Sequence, residues 1–156
     1  MTVRSADIRD VERIGQLLEQ VLAIHHEGRP DLFRSSGRKF SDDELKSLLH
    51  NEEIPIFVAV DENDRVLGYA ICIVQSLVGR SATLDRKTLH VDDLCVDEQC
   101  RHQHVGKTLY EHVCRYAKEQ GCFNVTLNVW AFNHDAIRFY EACGMTPQKH
   151  CMETVL

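Results

Sequence analysis

The chain has 156 residues, 44% hydrophobic and 27% charged, which is the composition of one globular domain spanning 1–156 and excludes a disordered or low-complexity protein. The formal charge of −6 disfavours nucleic acid as the main partner, because phosphate binding needs a basic face, and it mildly favours a cationic substrate. No stretch approaches the roughly 18 apolar residues of a membrane span, and Met1 to Asp7 lacks the apolar core of a signal peptide, so we expect a cytoplasmic protein with no membrane partner.

Seven cysteines and nine histidines raise the question of a metal site or of disulfides. The cysteines stand mostly inside apolar runs, and none belongs to a Cys-x-x-Cys pair. Neither His25-His26 nor the pair of His102 and His104 has the spacing of a zinc site. We therefore expect reduced thiols that pack as small hydrophobic groups, and no metal, with a metal-binding protein as a minor alternative.

The first predicted elements are a strand and an amphipathic helix. Residues 2–6 are predicted as a short strand, and apolar residues recur at helical spacing over 8–22. Asp7 is the predicted N-cap of this helix, with Asp10 in the capping-box position. The sequence Gly-Arg-Pro at 28–30 predicts the end of the helix.

An irregular, charged and aromatic segment follows at 29–40. Ser41 is the predicted N-cap of a second helix that extends to about Asn51, with Glu44 closing another capping box.

Beyond the second helix the hydrophobic period changes. The remaining predicted strands are 56–60, 66–74, 88–96, 124–131 and a final strand within 145–155, and the remaining predicted helices are 105–120 and 133–144. The predicted order is βααβββαβαβ. The early strands are expected to pair antiparallel, and the later β–α–β unit requires one parallel pairing, so the fold class is α/β with a mixed sheet.

Residues 92–109 form a strand, a loop and the start of a long helix. The first turn of a helix has free backbone N–H groups and the positive end of the helix dipole, so this junction is a candidate anion site. Gly106 would let a ligand approach the backbone closely, and Arg101 and Lys107 add positive charge. A pyrophosphate would suit this junction. Such junctions are common, so a second pattern is needed.

Residues 128–145 supply that pattern, with the sequence Asn-Val-Trp-Ala-Phe-Asn-His-Asp-Ala-Ile-Arg-Phe-Tyr-Glu-Ala-Cys-Gly-Met. Together the two stretches resemble the Gcn5-related N-acetyltransferase superfamily. The first is similar to its coenzyme loop, Arg-x-x-Gly-x-Gly/Ala after a strand, and the second to its helix Asn-x-x-Ala-x-x-Phe-Tyr-x-x-x-Gly-Phe/Met. The order of elements is similar over the whole chain, but only 92–145 carries the motifs.

The resemblance implies a mostly antiparallel sheet that splays between two central strands and is flanked by about four helices. It also implies direct transfer of an acetyl group from acetyl-CoA, as cosubstrate, to a primary amine of a small molecule or peptide, and a homodimer. The implied coenzyme-binding residues are Leu94, Cys95, Val96, Arg101, His102, Gln103, His104, Val105, Gly106, Lys107, Asn133, Ala136 and Tyr140.

The chain departs from the family's loop at two positions. The family normally has Gly at the position of His104 and often at that of His102. A side chain in the left-handed region costs on the order of 1–2 kcal/mol, but histidine occurs there more often than most residues. We therefore expect the loop to form. The two rings could face the phosphates when protonated, or they could be exposed histidines without a role.

Two residues are the implied catalytic groups. Strand alternation would point Asp92 and Asp93 to opposite faces, so only one would look at the substrate. The diamine acetyltransferase branch has Glu-Asp-Leu here, and its Glu corresponds to Asp92, which would bind the amine or take its proton, directly or through water. Tyr140 would donate a proton to the leaving thiolate. The alternatives are that Asp92 and Asp93 are ordinary carboxylates at a strand end and that Tyr140 is a core residue without a catalytic role.

The substrate side is less specific. Glu27 and Phe33 lie in the family's variable acceptor region, and Asn128 and Trp130 are predicted to share one strand face. Trp130 could attract an ammonium through its ring, or it could be a core residue. Polyamines suit the negative charge, while a peptide α-amine, a lysine or an antibiotic amine stays open. A coenzyme A-binding sensor without catalysis is the alternative function.

Overall fold

The computed structural model describes residues 1–156 as a five-stranded sheet with helices on both faces. The strands are β1 (Thr2–Ser5), β2 (Ile56–Val60), β3 (Val66–Leu77), β4 (Arg86–Val96) and β5 (Asn124–Leu127). The helices are α1 (Val11–Gly28), α2 (Asp42–Leu49), α3 (Val105–Glu119) and α4 (His134–Ala142), and short 3₁₀ turns span Ile8–Asp10 and Glu98–Cys100.

The sheet has the order β1-β2-β3-β4-β5. The first three pairings are antiparallel, and the pairing of β4 with β5 is parallel. Both predictions are therefore confirmed, as is the mixed α/β fold class. The parallel pair follows from the β4–α3–β5 connection, because a helical crossover returns the chain in the same direction.

Two cores cover the two faces of the sheet. On one face the apolar stripes of α1 and α2 pack on side chains such as Val58, Tyr69 and Ile71. On the other face α3 buries Leu109 and Val113 against the alternate residues of the same strands. The alternation of side chains along β2 and β3 thus feeds both cores, which explains why these strands read as continuous apolar runs.

The predicted helix starts are confirmed. Asp7 and Asp10 form a reciprocal capping box at the 3₁₀ turn that leads into α1. Ser41 and Glu44 form another at the start of α2. Each box satisfies backbone N–H groups that the first turn leaves free.

The C-terminal part differs from the prediction. Residues 145–156 contain no strand, so the predicted final strand is wrong. Pro147 has no N–H to donate to a ladder, and most of the segment is exposed. Ion pairing between Arg29 and Glu153, at 2.7 Å, ties the segment to the end of α1.

All seven cysteines are free thiols, of which Cys72 and Cys95 are buried and Cys151 is exposed. No helix combines the length and apolar character needed to cross a membrane. No group of three or more His, Cys, Asp or Glu side chains is arranged to hold a metal ion.

Candidate active site

A bulge in β4 opens the sheet beside β5. β5 ends at Leu127, opposite Val91, whereas β4 continues to Val96. The register of β4 with β3 shifts between Val91 and Asp93, which leaves Asp92 as the extra residue of the bulge. A bulge bends its strand, and the outer edge of β4 from Asp92 to Val96 has no partner in β5. We call the space beside this edge the β4–β5 cleft.

The bulge also changes the directions of the two aspartates. The Nζ of Lys39 donates hydrogen bonds to the Oδ2 of Asp92 at 2.8 Å and to its carbonyl oxygen at 3.3 Å. Burial raises the pKa of Asp93, and the same Lys39 ammonium opposes that rise. Both carboxylates therefore lie near one cation. The extra residue at the bulge interrupts the alternation from which opposite faces were expected.

Asp93 is the aspartate of this pair whose pKa the surroundings raise. Burial raises its pKa to about 6. The hydroxyl of Tyr69 donates a hydrogen bond to its Oδ1 at 3.2 Å. Asp93 therefore takes up and releases a proton close to neutral pH, which an exposed aspartate does not do.

Tyr140 is half-buried on α4 and lies close to Asp93. Its ring contacts Tyr110 and Phe139, with centroid distances of 6.3 and 5.0 Å. Burial raises the pKa of Tyr140, and the negative charge of Asp93 raises it further. The phenol is therefore protonated at neutral pH. Asn133 is the N-cap of α4, as predicted, and stabilises the first turn of the helix that carries Tyr140.

The loop before α3 contains two histidines in the left-handed region, as the sequence leads us to expect. His102 and His104 both have φ of 63°. His104 is the N-cap residue of α3 and makes no side-chain capping bond, so the first-turn amides keep their donors free. The first turn has no acidic residue, and Arg101, Gln103 and Lys107 are exposed beside it. These features suit an anion.

Gly106 has a packing role. A Cβ at this position would lie 3.3 Å from a ring carbon of Phe139 and 3.4 Å from a methyl group of Val96. The close approach that glycine allows is thus between α3, α4 and β4. The N–H of Ala136 donates a hydrogen bond to the side chain of Asn133 at 3.2 Å, so these two residues predicted for the coenzyme lie in one capped turn.

An aromatic cluster forms around Trp130, which follows the end of β5 by three residues. The rings of Phe33 and Trp130 meet edge to face at 5.3 Å, and His25 lies 4.9 Å from Phe33. Trp130 keeps 37% of its surface exposed, which excludes a core position. The prediction that Asn128 and Trp130 share one strand face is wrong, because β5 ends before Asn128. Asn128 is exposed.

Glu27 is exposed near the end of α1, and its carboxylate makes no hydrogen bond or ion pair within the chain. The structure does not bring it into the aromatic cluster, unlike Phe33 and Trp130. Sequence reasoning missed Lys39, Asp93 and His25 as members of the site. Only Asp93 carried a signal, its position next to Asp92. Lys39 lies in an irregular segment whose placement depends on the tertiary fold.

Comparison with known proteins gives consistent matches. The model of the acetyltransferase (GNAT) family matches residues 19–145. A provisional phosphinothricin acetyltransferase, YwnH of Bacillus subtilis (strain 168), is 26% identical over 92% of this chain and 83% of its own length. The peptidyl-lysine N-acetyltransferase YjaB of Escherichia coli (strain K12) is 30% identical over 73% of this chain and 63% of its own.

Among solved structures, a single-residue mutant of the BH1408 protein from Bacillus halodurans superimposes with a TM-score of 0.96. It is 31% identical over 100% of this chain and 99% of its own. The match spans the whole chain, including the cleft and the loop before α3.

Proposed function

The chain belongs to the acetyltransferase (GNAT) family, and we propose that it transfers the acetyl group of acetyl-CoA directly to a primary amine of a small molecule or peptide. One observation carries the proposal. Asp92 and Asp93 lie where β4 loses its pairing with β5, and the Tyr140 phenol is close enough to Asp93 for the charge of that carboxylate to raise its pKa.

The coenzyme site is proposed along β4 and α3. Backbone groups of Leu94, Cys95 and Val96 lie on the edge that β5 leaves free and are placed to bond the pantetheine arm. The amides of Val105 to Lys107 and the guanidinium of Arg101 suit the pyrophosphate. When bound, acetyl-CoA supplies the thioester that the amine attacks.

The two aspartates have separate proposed roles. An alkyl amine has a pKa of about 10.4, so it arrives protonated and must lose a proton before it can attack. Asp92 already binds an ammonium, that of Lys39, and is proposed to hold the acceptor in the same way. Asp93 is the proposed proton acceptor, because burial brings its pKa to about 6.

Tyr140 is the proposed acid. The negative charge of Asp93 contributes to the raised pKa of Tyr140. When Asp93 takes the amine proton, that charge disappears, and the phenol becomes the stronger acid as the thiolate leaves. The two proton transfers are thereby coupled through electrostatics, without a direct bond between the residues.

The acceptor end of the cleft is proposed to lie at Phe33 and Trp130, whose rings can cover an alkyl chain or an ammonium. Polyamines fit the carboxylate pair, in line with the likeness to the diamine branch. The relatives' names point instead to phosphinothricin and to peptidyl lysine, so both classes belong in the test.

A panel of polyamines, amino acids and lysine peptides, assayed by release of free coenzyme A thiol, tests the proposal. We expect release with at least one class of amine. Tyr140→Phe should lower kcat by about 100-fold or more while leaving the fold intact. Tyr116→Phe is the matched control, since Tyr116 packs on Phe57 at 5.1 Å, on the α3 face of the sheet.

Equal turnover by the Tyr140→Phe and Tyr116→Phe variants would overturn the acid role. Coenzyme A binding without thiol release for any amine would favour the sensor function. Calorimetric titration with coenzyme A distinguishes that result from a chain that does not bind it.

A further inference from the structure

Lys39 reaches the active site from the segment between α1 and α2. Its Nζ lies 2.8 Å from Asp92 Oδ2, at the bulge that opens the cleft. Burial raises the pKa of Asp93, and the charge of the Lys39 ammonium opposes that rise. Burial is the main cause of the lowered pKa values of His25 and His90, and the same ammonium lowers both further. A primary amine of the chain itself therefore stands among the titratable groups of the site.

Lys39 is not distinguished from Lys46 by the exposure of its side chain. The side chains of Lys39 and Lys46 are 43% and 47% exposed, and each pairs with an aspartate. The partner of Lys46 is Asp43, which is 94% exposed on α2, whereas the partner of Lys39 is Asp92 in the cleft, 25% exposed. The two lysines differ in their surroundings.

We propose that Lys39 is an acetyl acceptor of this enzyme, so that the chain acetylates its own Lys39 side chain from acetyl-CoA. The inference rests on the proposed function. An amine held by Asp92, next to a group that can accept its proton, meets the requirements set out for an external acceptor. Because the acceptor lysine belongs to the same molecule that binds acetyl-CoA, no separate acceptor has to be captured, which removes the entropy cost of that encounter.

The reaction balances without a further reagent. The Nζ ammonium of Lys39 loses one proton to Asp93, and the resulting amine forms a bond to the acetyl carbon. The bond from that carbon to the coenzyme sulfur breaks, and the sulfur takes a proton from Tyr140. The nitrogen then gives up a second proton, which returns to the oxygen of Tyr140. The products are Nε-acetyl-lysine and free coenzyme A. The ammonium becomes a neutral amide, and Asp92 loses the ion-pair partner that it now has.

Peptide mass spectrometry of the full chain after incubation with acetyl-CoA tests the inference. We expect Lys39 to be acetylated at least about tenfold faster than Lys46, since only Lys39 stands in the cleft. The rate per molecule should not change with protein concentration, because the transfer is intramolecular. Tyr140→Phe should slow the modification of Lys39 and leave that of Lys46 unchanged.

Equal rates at Lys39 and Lys46 would mean chemical acetylation by the thioester and would overturn the inference. A rate that rises with protein concentration would mean transfer between copies and would also overturn it. The amine panel is run in parallel. Thiol release with external amines and an unmodified Lys39 would refute self-acetylation alone, whereas no release and no modification would refute the proposed function as well.

Discussion

Asp93→Asn is the substitution that tests the electrostatic description of the site most directly. Asn keeps the shape of the side chain, and its Oδ1 can still accept the hydrogen bond that Tyr69 donates at 3.2 Å. The amide does not ionise. The variant therefore removes the buried negative charge and leaves the packing nearly unchanged.

The sign and size of the effect follow from the pKa. Burial raises the pKa of Asp93 from 3.8 to about 6, so the folded chain binds the proton more tightly than the unfolded chain. The contribution of Asp93 to the stability of the wild type is therefore most favourable below about pH 4, and it is lost as the pH rises towards 6. At about 1.4 kcal/mol per tenfold change in proton affinity, the fall is about 2–3 kcal/mol.

Urea unfolding at a series of pH values from acid to mildly alkaline measures this difference. At each pH the free energy of unfolding of the wild type is subtracted from that of Asp93→Asn. We expect this difference to be about 2–3 kcal/mol larger above pH 7 than near pH 4. Activity should fall in the same variant, because the proposed proton acceptor is lost. Glu62→Gln, in the exposed turn between β2 and β3, is the matched control.

A stability difference that does not depend on pH would refute the reasoning, whatever its absolute value. Such a result would mean that the Asp93 carboxylate is ionised at little cost in the folded chain. A pH-dependent difference in the Glu62→Gln control would show that the change comes from the overall charge of the chain.

Substitutions at three further positions test packing, an ion pair and backbone conformation. Gly106→Ala should lower the free energy of unfolding by about 1 kcal/mol, because its Cβ would crowd Phe139 at 3.3 Å; an unchanged urea midpoint would contradict this. Arg13→Met should cost about 3 kcal/mol in the same assay, because it leaves the buried carboxylate of Asp97 without its closest cation; a loss below about 1 kcal/mol would count against that pairing. His104→Val should cost about 1–2 kcal/mol, because a β-branched residue is poorly tolerated at φ of 63°, whereas His104→Gly should be close to neutral; equal stability of the two variants would contradict the argument.

Features that depend on a few neighbouring residues could be predicted from the sequence. Both capping boxes formed where Asp7 and Ser41 indicated them, because the bonds close within one turn. The two loop histidines adopted positive φ because the coenzyme-loop pattern requires a left-handed residue there. The helices of the family motifs also formed close to their predicted bounds, since an amphipathic period and its caps are written locally.

Features that depend on the exact register and extent of pairing between distant strands could not be predicted. The end of β5 at Leu127 and the absence of a strand over 145–155 depend on hydrogen bonds between strands. The positions of Asp92 and Asp93 depend on a one-residue shift against β3, which is visible only when both strands are paired. No local pattern indicates such a shift.

The sequence by itself determined the resemblance to the family and the order of the elements as far as α4, since these follow from two short motifs and from hydrophobic period. The tertiary structure alone decided which groups share the cleft. It brought Lys39, Asp92 and Asp93 together across more than fifty positions of chain, through a bulge and an irregular segment that have no local signature. The physical reason is that burial and charge proximity, which set the chemistry of the site, are properties of the packed chain.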